Sequence, residues 1–63
     1  MGMTPKELIK KLIDNGFVIV SQKGSHVKLK NNNTNRQTIV PMHSRELKKG
    51  LEKAILKQAN IKK

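Results

Sequence analysis

Gly24-Ser25-His26-Val27-Lys28-Leu29-Lys30 is the stretch on which the fold turns. From His26 onward the residues alternate strictly. Val27 and Leu29 fall on one side of an extended chain and His26, Lys28 and Lys30 on the other, because successive side chains of a strand point to opposite faces. Such a strand has one face for a core and one for water. Ahead of it, Phe17-Val18-Ile19-Val20 is a β-branched and aromatic run bounded by Gly16. It reads as a partner strand, with Gln22-Lys23-Gly24-Ser25 as the connecting turn. Beyond it, Asn31-Asn32-Asn33-Thr34-Asn35 is a run of turn formers that feeds a third strand, Arg36 to Val40, closed by Pro41. The expectation is a three-stranded antiparallel meander.

A helix is predicted on each side. Thr4-Pro5-Lys6-Glu7 is a capping-box sequence with proline at the tolerant first helical position. Leu8, Ile9, Leu12 and Ile13 recur at helical spacing, and Asn15-Gly16 supplies a left-handed exit, so the first helix runs from about Pro5 to Asn15. Glu7 stands four residues before Lys11, at the distance of a weak supporting ion pair. Leu47, Leu51, Ala54, Ile55 and Gln58 define the inner face of a second helix over roughly Lys48 to Ala59, with Lys49, Lys53 and Lys57 opposite. Gly50 lies inside that stretch at a cost of about 1 kcal/mol relative to alanine, which points to close packing or to a start near Lys49. The order is α-β-β-β-α, an α+β fold with both helices on one face of the sheet, since only one apolar layer exists to be covered. Val18, Val20 and Val40 alternate out of phase with Phe17, Ile19 and Ile39, which predicts some apolar surface on the uncovered face.

The chain has 63 residues. That length permits one domain, taken as residues 3–61, and buries only about 60% of the surface of the unfolded chain. Met1-Gly2 reads as an expression remnant ahead of a start at Met3. With no cysteine there is neither a disulfide framework nor a thiolate zinc site. No apolar run approaches the roughly 18 residues of a membrane span, and the N-terminus lacks a signal-like stretch. The expectation is a soluble, intracellular protein with no membrane partner.

Fourteen lysines and arginines against four acids give a formal charge of +10, which asks for a polyanionic partner. Phe17 is the only aromatic residue apart from the two histidines, too few rings for a platform that stacks unpaired bases. Binding to RNA would therefore rest on backbone and shape.

The chemistry available is narrow. Glu7, Asp14, Glu46 and Glu52 lie on separate predicted helical segments with none in the strands, so neither a carboxylate pair nor a bound divalent metal is expected. No cofactor is expected either. RNA carries its own nucleophile: a base that takes the 2′-hydroxyl proton lets that oxygen attack the adjacent phosphate, and lysines stabilise the developing charge. Histidine suits the task, with an ordinary pKa of about 6.5. His26 starts a strand on the face shared with Lys28 and Lys30, after a Gly24-Ser25 turn able to hold a phosphate, with Lys23 just ahead. His43, beside Pro41 and Ser44, is a secondary candidate, with a loop or capping role as the alternative.

Several stretches together resemble the HicA family of toxin ribonucleases. They are the Asn15-Gly16-Phe17 exit, Gly24-Ser25-His26, Ile39-Val40-Pro41, Glu46-Leu47-Lys48 with Gly50, and Ala54-Ile55-Leu56-Lys57-Gln58-Ala59. The likeness spans Met3 to Ile61. It departs from the commonest pattern at Leu51, where a threonine often follows the glycine, and at Asn60, where a glycine often ends the helix. The resemblance implies a double-stranded-RNA-binding-domain-like fold, cleavage of mRNA, neutralisation by a HicB-type antitoxin, and His26 as the catalytic residue. A basic RNA-binding module without catalysis is the alternative reading.

Overall fold

The computed structural model describes residues 3–42 and 46–61. Five elements follow one another: α1 (Pro5–Asp14), β1 (Phe17–Lys23), β2 (His26–Asn31), β3 (Arg36–Pro41) and α2 (Lys49–Gln58). The strands form one antiparallel sheet in the order β1-β2-β3, so β2 is central. The α+β, α-β-β-β-α expectation holds.

The N-terminal cap forms as the sequence dictates. The Thr4 hydroxyl accepts the Glu7 amide at 3.2 Å, and the Glu7 carboxylate accepts the Thr4 amide at 2.8 Å. Glu7 thus serves the cap, which satisfies two otherwise orphaned donors. Pro5, Leu8 and Leu12 are buried, whereas Ile13 stands about half exposed, so the inner stripe of α1 is narrower than its periodicity suggests.

The core is one layer. Phe17, Val27, Leu29 and Val40 from the sheet meet Leu8 and Leu12 of α1 and Ile55, Leu56 and Ala59 at the other end, with Leu47 beside them. Three expectations need correction. First, β1 does not stop at Val20: it continues through Lys23, and the turn is Gly24-Ser25 alone. The register shifts between Ile19 and Ser21, where Ile19 faces Leu29 and Ser21 faces Lys28. Val20 is therefore the extra residue of a β-bulge, which re-aims every residue after it. Second, Val40 is fully buried opposite Val27, and Ile39, opposite Lys28, is the exposed one. Val18 does lie on the uncovered side, opposite Lys30. Third, α2 turns Glu52, Ile55 and Leu56 inward, while Leu51 and Ala54 are exposed. Glu52 is 1% exposed and accepts the Met3 amide at 2.6 Å, so a charged side chain takes a core position that apolar periodicity assigns to its neighbour. The Met3 carbonyl accepts from the Leu47 amide at 2.9 Å. α2 begins at Lys49, which leaves Gly50 in its first turn.

Asn31 ties the corners together. It is buried, its amide Nδ2 donates to the Asn15 carbonyl at 3.1 Å, and its Oδ1 accepts from the Asn33 and Thr34 amides at 2.9 and 3.3 Å. One side chain thereby fixes the exit of α1 and the β2–β3 loop. Gly16 passes beside it with φ +93, and a Cβ there would lie 3.2 Å from Nδ2. Asn31→Ala is expected to lower the unfolding free energy by about 1–3 kcal/mol, the cost of stranding these polar groups. Gly16→Ala should cost more in the wild-type background than in Asn31→Ala, where only the strain of positive φ remains. Urea unfolding of the four proteins in this cycle measures the coupling, and equal costs in both backgrounds would contradict the contact.

Candidate functional site

β2 is hydrogen-bonded on both sides, and this rigid strand carries His26, Lys28 and Lys30 on the face away from the helices. Lys23 lies directly opposite His26 on β1, and Pro41 opposite it on β3. The ladder continues one step further, from the Met42 amide to the Ser25 carbonyl, so the backbone on either side of His26 is held.

Gly24 and Ser25 are the two central residues of the hairpin. Gly24 has φ +59, while Ser25 does not enter the left-handed region. A positive φ at the first central residue alone is the pattern of a type II′ turn, which matches the twist of the paired strands and favours glycine there. The glycine sets the geometry that places Lys23 across from His26.

The structure brings Lys23, His26 and Lys28 to one open cavity of about 340 Å³ on the uncovered face, together with Ser21 and Ile39. Gly24 and Ser25 form the turn that joins Lys23 to His26. Lys30 shares the face but not the cavity: it is half-buried further along β2, opposite Val18 and Gln37. His43 lies outside the described residues. Ser21 and Ile39 were not singled out from the sequence. Ser21 reaches this face only because of the bulge at Val20, and a bulge leaves no composition signal here; Ile39 reaches it through the register of β3 against β2.

Electrostatically the cavity is one-sided. Lys23 and Lys28 line it with no acid among its residues. The four carboxylates are elsewhere: Glu7 in the helix cap, Glu52 in the core, and Asp14 and Glu46 exposed away from the strands. A pair of lysines beside an imidazole, without a countercharge, is suited to hold a phosphate and move a proton next to it.

A family model described as the HicA toxin of bacterial toxin-antitoxin systems matches residues 5–61. The chain belongs to the HicA toxin family. Membership carries a toxin role, one half of a pair whose other half is an antitoxin. The matched span includes both helices, all three strands and the hairpin that positions His26. No curated protein matches the chain. Among the described residues no helix is long and apolar enough to cross a membrane.

Because a Cβ at Gly24 would meet nothing within 4 Å, the demand at this position is purely conformational. Any L residue is strained at this positive φ, a β-branched one most, so Gly24→Val should cost about 1–2 kcal/mol more than Gly24→Ala. Thermal denaturation ranks the pair, and equal melting temperatures would contradict the turn assignment.

Proposed function

We propose that this toxin is a metal-independent endoribonuclease that cleaves mRNA at the cavity around His26 and is neutralised by a HicB-type antitoxin. The observation that carries the reading is the placement of one imidazole among Lys23, Lys28 and Ser21 on the face of the sheet that the helices leave open. The family's toxin role supports it, since destruction of messages stops growth.

The chemistry follows from the residues. His26 takes the proton of the RNA 2′-hydroxyl. The freed oxygen attacks the adjacent phosphorus, the bond to the 5′ oxygen breaks, and a cyclic 2′,3′-phosphate and a 5′-hydroxyl result. The proton taken by the imidazole is available to the departing 5′ oxygen. Lys23 and Lys28 hold the non-bridging oxygens, whose charge grows along the path, and the Ser21 hydroxyl and the Gly24-Ser25 turn add donors at the rim. Lys30 contacts phosphate one nucleotide away along the strand. His43, three residues past β2's partner Val40 in sequence, stays a secondary candidate for the second proton transfer.

The acids support the metal-independent part of the proposal by their location. Glu7 and Glu52 are engaged in structural hydrogen bonds, and neither Asp14 nor Glu46 lines the cavity.

His26→Ala is expected to reduce cleavage by about 10²–10⁴-fold, the range of a lost proton-transfer group, with RNA affinity changed only a few-fold. Gel assays for cleavage beside filter binding separate the two. If the antitoxin-free wild type leaves mRNA intact with and without magnesium, the nuclease reading fails and a non-catalytic RNA-binding module stands. Affinity should also fall with salt at a slope near about −2 in log-log form, since three lysines release counterions from a single strand; a flat response would remove the lysines from the contact.

A further inference from the structure

We propose that the groove between the outer edge of β3 and α2 is a docking site for an extended, apolar and acidic segment of a partner protein, paired with β3 as a fourth strand. The groove has a volume of about 830 Å³ and is lined by Gln37 and Ile39 of β3, by Leu51, Ala54 and Lys57 of α2, and by Lys28.

Three observations favour this occupant. β3 is an edge strand, and the Met42 amide, directed at Ser25, fixes which of its residues face β2. By the alternation of an antiparallel ladder, Val40, Thr38 and Arg36 face β2, while Gln37, Ile39 and Pro41 direct their backbone groups outward. Pro41 has no amide to leave unpaired and therefore ends the available edge, which leaves Gln37 and Ile39 as the pairing positions. A strand added there gains main-chain hydrogen bonds, and its alternate side chains enter the groove.

The lining then selects the chemistry. Ile39 and Leu51 are 50% and 41% exposed, an apolar pair with no aromatic ring to stack a base, which suits a peptide better than RNA. The cations present are Lys28 and Lys57, with no acid in the lining, so acidic side chains complement it. A second copy of this chain does not fit the requirement. Its strands, FVIVSQK, HVKLKN and RQTIVP, carry no acid, and a charge of +10 on each copy opposes the pairing.

Lys28 and Ile39 line this groove and also the cavity that holds His26. The two are therefore one continuous surface around the edge of the sheet, and a strand seated on β3 places its open-face side chains against Lys28. Docking at the edge closes the cavity beside it. That consequence rests on the nuclease reading, whereas the docking itself does not.

The test uses the full chain, isotopically labelled, and a capped ten-residue peptide alternating valine with aspartate, titrated to millimolar concentration. A control peptide has the same charge but proline in place of every valine. The expected result is slowed hydrogen exchange at the Gln37 and Ile39 amides with the valine peptide only. Leu51→Glu, on the exposed face of α2, should weaken that binding about tenfold or more by removing apolar contact and adding a like charge, while RNA cleavage by the same variant stays at the wild-type level. The proposal is overturned if neither amide is protected, if both peptides act alike through the lysines, or if a short RNA oligonucleotide and not the peptide occupies Leu51 and Ala54. Cleavage measured on the peptide-free protein reports separately on the nuclease reading.

Discussion

A chain of this length can cover one face of its sheet and must leave the other to solvent. Everything distinctive about the molecule follows from how that restriction is met. The helices and the inner residues of the strands share one apolar layer, with Val27, Leu29 and Val40 beneath Leu8, Leu12, Ile55 and Leu56. The opposite face is then free of packing demands, and the sequence fills it with His26, Lys28 and Lys30 from the central strand. Because β2 is paired on both sides, those side chains stand on the most rigid backbone the fold offers, where a catalytic geometry is best held. The same alternation that builds the core builds the candidate site.

How much of this could be read from the residues depended on whether the signal was local. The alternation from His26 to Lys30, the capping box at Thr4 and the Gly24-Ser25 centre of the turn are encoded in contiguous residues, and each forms, although the turn is two residues shorter than expected. What was illegible depends on counting across a connection or on a long-range partner. The bulge at Val20 shifts Ser21 onto the open face without any glycine or proline to announce it. The parity of β3 is set by four residues, 32–35, between the paired Asn31 and Arg36, and one residue more or fewer would have exposed Val40 in place of Ile39. The inner face of α2 was misjudged because Glu52 is buried. Its carboxylate is tolerable there since it accepts the Met3 amide, a partner 49 residues away, and a buried charge with such hydrogen bonds escapes the rule that acids face water.

The burial of Glu52 and the capping role of Glu7 also bear on the electrostatics. Half of the four acids hold backbone amides, and none of the four lines the cavity. The field around the sheet face is left strongly positive, and the cavity lining has no carboxylate to compete with a bound anion. Stability and attraction are thus linked through the same side chains: the carboxylates hold the helices in place from positions remote from the cavity.

The open face also leaves a toxin of this build with surface that another protein can cover. A thin sheet with two free edges and no second layer has no lid, no loop long enough to fold over the site, and no buried switch among its described residues. His26, Lys23 and Lys28 are exposed together on that face. A partner covering this face would complement it with what the chain lacks there, namely negative charge and apolar area over Ile39. A partner that offers both fits the surface that the missing layer leaves bare, and the limit on size that creates the candidate site is the same limit that leaves it open to another protein.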